Sequence, residues 1–385
     1  MDGGKKWFKC SSGLPNIPVR DLAIQKREND LVAATFGRGF YVLDDYSALR
    51  ELSTERLDKE SHLFPVRRTW WYAPVDRLGG MGSREGFQGD SYFVADNPTY
   101  GAVFTVHLKE AFKSLKETRA EAEQNAKKEN KDAKVASLAD LEKEAEELVP
   151  MRFIRISDAA GAFVARVPLP TDKGLHRVSW DLKKAPLRGT GLRPMALPGN
   201  YTAIVMLWDG KDTKAISEPV PFSVEPMVEP SMPPVDRQQA LEFQNQVVAL
   251  QHRLERSIKK LERGIAQLEE AEKVAKDGAP ELGSVWTEIR QAALDGKKLE
   301  KQLQGNAILQ ERYIESVPSP AERLSSVLFG MMSSTHGPTK THRDQFEICK
   351  VEIDAAAPRI DALVDQTITA ICQKLIAMGY DLQVP

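Results

Sequence analysis

The chain has 385 residues, 42% of them hydrophobic and 28% charged, with 53 basic against 55 acidic side chains and a net charge of -2. At about 100–200 residues per domain this allows two to four domains, and the composition excludes wholesale disorder. The charge balance gives no general reason to bind nucleic acid or an anionic membrane. No apolar run approaches the roughly 18–20 residues that cross a bilayer, and the polar start MDGGKKWFKC does not read as a signal segment.

Residues 1–50 read as strands and tight turns. After the turn at Gly13-Leu14-Pro15 come Val19–Ile24, Leu31–Phe36 and Gly39–Leu43, each short and rich in β-branched or aromatic residues. About four strands leave two open edges and an uncovered face, too little for an independent domain. Residues 51–91 read as an irregular linker with a compact group, Arg67, Arg68, Trp70, Trp71 and Tyr72. Across 92–226 strands are expected at Gly101–Leu108, Met151–Ile156, Ala162–Pro168, His176–Leu182, Tyr201–Trp208 and Pro219–Val224, with turn signals between them. Six or seven strands at this spacing predict a β-sandwich of about 90 residues.

Residues 109–149 interrupt that region with 9 basic and 11 acidic residues among 41, and with no proline or glycine. The interleaved signs predict a solvated helical hairpin; a nucleic-acid arm would carry one sign. The stretch Glu225–Val235 holds four prolines and supplies the linker, placed at 227–235. From residue 236 the period becomes helical. Phe243, Val247, Leu250, Leu254, Ile258, Leu261, Ile265 and Leu268 recur at a mean step of about 3.6, one apolar stripe on a long helix. A second stripe runs Ile353, Ala357, Ile360, Val364, Ile368, Ile371, Leu375 and Met378, and Pro358 is expected to kink or restart it. Shorter helices at Leu282–Leu303 and Ala321–Met332 complete an antiparallel bundle over 236–385, through which a homo-oligomer could form.

Little in the chain points to metal or cofactor chemistry, and none is expected. The cysteines Cys10, Cys349 and Cys372 lie at no metal-like spacing, and His336 and His342 belong to no HExxH or CxxC-paired cluster. On one continuous helix Cys349 and Cys372 stand roughly 35 Å apart, too far for a disulfide. Buried free thiols are the expectation.

The most specific local signal is Asp2-Gly3-Gly4-Lys5-Lys6-Trp7. D-x-G-x-x-W is the core of the Asp-box turn. The carboxylate of Asp2 accepts backbone N–H groups, Gly4 takes a conformation other residues avoid, and Trp7 packs between sheets. Further along stand Thr35-Phe36-Gly37-Arg38-Gly39-Phe40-Tyr41-Val42-Leu43, Asn97-Pro98-Thr99-Tyr100-Gly101-Ala102, Arg177-Val178-Ser179-Trp180-Asp181-Leu182, Leu197-Pro198-Gly199-Asn200-Tyr201-Thr202 and Gly337-Pro338-Thr339. In this order the segments resemble the C-terminal part of bacterial sortilin-like, BNR-repeat proteins often described as glycosyl hydrolases. The resemblance implies a multidomain α+β chain: a last β-propeller blade at 1–50, an immunoglobulin-like sandwich with a helical-hairpin insertion, and a helical tail. It also implies export, and it places the remaining blades upstream. The Asp-box departs from the family pattern because only Met1 precedes Asp2, where a serine or threonine is usual.

The sialidase-type catalytic constellation draws on several blades, so none of it transfers to this chain residue by residue, and no catalytic residue is assigned. Arg38 could face a propeller channel or cap a hairpin end. Asp44 and Asp45 adjoin at a strand end, where neighbours point to opposite faces, and read as turn formers rather than a glycosidase pair. Trp70, Trp71 and Tyr72 could stack a sugar or pack the linker. The expected function is therefore that of an accessory region: structural and binding, with a carbohydrate or protein ligand and the upstream propeller as partners. The rival is a glycoside hydrolase whose catalytic blades lie upstream.

Overall fold

The computed structural model describes residues 13–14, 16–74, 98–129, 136–185, 193–228, 236–276, 283–332, 334–380 and 382. Backbone contacts divide the chain into two compact units. One comprises Met1–Trp71, Arg77–Ala185 and Pro198–Met227; the other comprises Tyr72–Asp76, Pro186–Leu197 and Val228–Pro385. Several β-sheets build the first and helices build the second.

The first unit opens with β1 (Val19–Gln25), β2 (Asp30–Thr35) and β3 (Phe40–Leu43), an antiparallel three-stranded sheet in that order. Two short helices follow, α1 (Ser47–Arg50) and α2 (Thr54–Leu57). The stretch expected to be irregular then supplies two strands, β4 (Ser61–Leu63) and β5 (Thr69–Trp71). Each has three residues, too short for an alternating pattern to register. Next come β6 (Ala102–Leu108), the helices α3 (Leu115–Lys128) and α4 (Leu138–Glu146), and β7 to β12. These last are Met151–Asp158, Phe163–Pro168, Gly174–Trp180, Gly199–Trp208, Thr213–Ala215 and Val220–Pro226.

Six strands form one sheet in the order β5-β12-β10-β7-β8, with β11 also on β10; β4-β6-β9 form another. The period-2 alternation decides which side is buried. Ala102, Phe104, Val106 and Leu108 of β6 are wholly buried, as are Ala203 and Val205 of β10. The inner faces of the two sheets meet through aromatic rings. Phe104 lies edge-on to Phe222 with centroids 5.6 Å apart, and Trp180 stands 5.4 Å from Tyr201. The indole of Trp180 donates to the Lys183 carbonyl at 2.8 Å, so burial leaves its N–H satisfied.

The charged insertion is a pair of helices. Each begins with a capping box, Ser114 with Glu117 and Ser137 with Asp140. Neither buries a residue. Arg119 holds them together through two hydrogen bonds to Glu144, at 2.6 and 3.0 Å, and a third to Glu123 on its own helix.

In the helical unit α5 (Arg237–Lys276) runs for 40 residues, and Asp236 caps its start by accepting from the Gln238 and Gln239 amides. It is followed by α6 (Ser284–Gln304), α7 (Ala307–Glu311), α8 (Pro320–Met332) and α9 (Lys340–Asp361), then a π-helical segment Ala362–Ile368 and α10 (Thr369–Ala377). Thr339 caps α9 and accepts from the His342 amide. The chain stays helical through Pro358. A proline offers no N–H to the carbonyl four residues back, and the wider π turn begins four residues later.

One core joins these helices. Six of the eight residues of the first stripe are buried; Ile258 and Ile265 pack at its margin. In the second stripe Ala356 replaces Ala357 as the buried alanine, and Met378 is exposed. Cys349 and Cys372 are buried free thiols, and burial pushes the Cys349 thiol up to about 11. Among the described residues no helix is long and apolar enough to cross a membrane.

Candidate functional site

The Asp-box residues Asp2, Gly4 and Trp7 lie outside the described residues. The strands that follow them carry the most informative surface of the β unit. Register places Leu22, Ile24, Leu31 and Leu43 on one face of the β1-β2-β3 sheet. Val32, Ala34, Phe40 and Val42 occupy the other. Both faces carry large apolar side chains open to solvent: Leu22 is 59% and Ile24 49% exposed on the first, where Ala33 between the strands is buried, and Phe40 75% and Val42 56% on the second. The outer edges of β1 and β3 pair with no strand among the described residues. A sheet that ended a compact domain would hide one of these faces.

Arg38 sits in the β2–β3 turn, exposed, with the Thr35 hydroxyl donating to the Gly39 carbonyl beside it at 2.7 Å. Asp45 is engaged in the turn, and Asp44 through its backbone carbonyl. The Asp45 carboxylate accepts from the Ser47 hydroxyl at 2.6 Å, and its amide donates to Asp30 at 3.0 Å. The Asp44 carbonyl accepts from Arg177 at 2.7 Å. With Arg67 set 3.4 Å from Glu28, this anchors the three-stranded sheet to the rest of its unit.

The aromatic group divides. β5 pairs parallel with β12, Trp70 opposite Glu225 and Trp71 opposite Pro226. Adjacent strand residues point to opposite faces, so Trp71 is buried while Trp70 turns outward. The guanidinium of Arg68 covers the Trp70 ring, 4.1 Å from its centroid, and stands 3.6 Å from Glu225. Tyr72 follows the strand, beyond the point where the chain passes from the first unit to the second. Trp70 and Trp71 therefore do not form one flat stacking surface.

On the outer face of β4-β6-β9 the structure adds a feature that sequence reading missed. His62 and His107 are direct cross-strand neighbours. His62 Nε2 and His107 Nδ1 are buried without a hydrogen-bond partner, and burial lowers both pKa values. Two histidines 45 residues apart give no signal until the strand register is known. Among the described residues no group of three or more His, Cys, Asp or Glu side chains could hold a metal ion.

Compared with models of protein families, with curated proteins and with solved structures, the chain matches none. The geometry alone bears on function.

Proposed function

We propose that this chain is the C-terminal accessory and interaction region of an exported BNR-repeat propeller protein, structural and binding rather than catalytic by itself. In this reading β1, β2 and β3 belong to the last blade of a propeller, and preceding blades of the same polypeptide cover the sheet. The two larger sheets are an immunoglobulin-like sandwich with a helical-hairpin insertion, and the tail is an antiparallel bundle. One observation carries the reading: a short sheet with large apolar side chains exposed on both faces. Blades stack face to face around a propeller, so each needs apolar residues on both sides. The Asp45 carboxylate, accepting from the Ser47 hydroxyl in the turn after β3, fits a turn former.

Hydrogen exchange tests this directly. Peptides covering residues 19–43 should exchange quickly in this chain alone. They should become strongly protected in a polypeptide extended upstream along its natural reading frame. Equal exchange in the two would show that no preceding segment covers the sheet, and the proposal would fail.

A further inference from the structure

Arg256, Lys259, Lys260 and Arg263 recur along α5 at helical spacing. At about 100° per residue they span about 100° of arc, a single face of the helix. With Val364 and Asp365 of the π-helical segment they line a cavity of about 460 Å³. That volume falls in the range of about 300–1,000 Å³ usual for small-molecule sites.

The charges around this cavity are unequal. Lys260 is already committed: it donates to Asp361 and Asp365, the latter at 2.6 Å, and these bonds hold its pKa above the ordinary lysine value. Arg256, Lys259 and Arg263 have no ion-pair partner among the described residues. Three cations without a close ion-pair partner among the described residues thus face one concavity, whose single lining carboxylate, Asp365, is held by Lys260. A concavity with cations in excess of carboxylates concentrates anions.

A second polar feature lies one turn along. Gln267 also lines the cavity, and its Oε1 is buried without a hydrogen-bond donor. Such an oxygen costs free energy unless something donates to it. Four residues of helix separate it from Arg263, about 6 Å along the axis, which one sugar ring can bridge.

We propose that this cavity binds a small hydroxylated anion with the chemistry of a sugar phosphate or sugar sulfate. Its anionic group sits against Arg256, Lys259 and Arg263, and a ring hydroxyl donates to Gln267 Oε1. Guanidinium groups suit the first role because their paired N–H donors match phosphate and sulfate oxygens. Val364 supplies an apolar wall for the ring. The proposal does not depend on the propeller reading, since every residue it uses belongs to the helical unit.

Calorimetry on the full chain at low ionic strength, with glucose 6-phosphate, glucose 6-sulfate, inorganic phosphate and glucose, tests it. At least one ester should bind saturably and about fivefold or more tighter than inorganic phosphate, and glucose should not bind. The two esters distinguish phosphate from sulfate as the natural group. The double variant Arg256→Gln/Arg263→Gln should weaken ester binding about tenfold or more. Gln267→Leu should weaken the ester while leaving inorganic phosphate unchanged. Arg256, Lys259 and Arg263 are exposed, so these substitutions spare the core, and Lys259→Gln gives an independent reading. No saturable binding below about 10 mM, unaltered binding in the double variant, or equal affinity for ester and inorganic phosphate would each overturn the proposal.

Discussion

Gly101 shows what one missing side chain permits. Its φ is +96°, and a Cβ built there would lie 1.9 Å from the Trp180 carbonyl oxygen. Ala102 pairs directly with Trp180, so the two backbones cannot separate without opening the ladder between β6 and β9. Gly101→Ala is therefore expected to cost about 3–5 kcal/mol, read as a lower urea midpoint in tryptophan fluorescence. The probe suits the question once Trp286 of the helical unit is replaced by Phe, because Trp70, Trp71, Trp180 and Trp208 all belong to the β unit. Burial also sets the pH response of His62 and His107. Nearby Arg56 and Lys59 oppose protonation of His62, Glu51 favours it, and His176 opposes that of His107. Each folded-state pKa lies below the ordinary 6.5, so the unfolded chain binds the extra protons. Their contribution is complete above about pH 6.5 and is lost as pH falls through the folded values. The fluorescence midpoint should drop between pH 7 and 5, and His62→Gln/His107→Gln should flatten that slope.

At the scale of elements, the apolar spacing in α5 is legible in the sequence, because burying a stripe forces a 3.6-residue period. What it could not rank was depth within the stripe. Leu254 and Leu261 are 1% exposed, whereas Ile258 packs at the margin of the core. Gly264, a gap in the hydrophobic pattern, is a point where the π-helical segment comes close to α5. A Cβ there would meet Val364 and Ile368 side-chain atoms at 2.9 Å. Leu261→Ala should accordingly cost about 2–5 kcal/mol, and Ile258→Ala distinctly less, measured by thermal melts followed at 222 nm. The long strands were legible for the same reason as α5. β4, β5 and β11 were not, since three-residue strands carry too little pattern, and β5 pairs with β12 more than 150 residues away. The candidate site was hidden more deeply still. Arg256, Lys259 and Arg263 look like any solvated helix face until the π-helical segment is placed across from them.

For the whole molecule, the division into two units predicts separable folding. The helical unit has its own core, drawn from α5, α6, α8, α9, the π-helical segment and α10. A fragment spanning 228–385 should melt cooperatively by calorimetry, in a size range where domains commonly stand alone. A gradual melt would mean that the core needs the β unit to form. The three-stranded sheet leads in the opposite direction. Leu22, Phe40 and Val42 stay wet, and the outer edges of β1 and β3 pair with no strand among the described residues. Edges and faces of this kind attract other chains as readily as their intended neighbours. With this sheet left uncovered, the molecule would carry a standing risk of clumping, located in the 25 residues 19–43. Solubility, rather than loss of fold, would then be the first property to suffer.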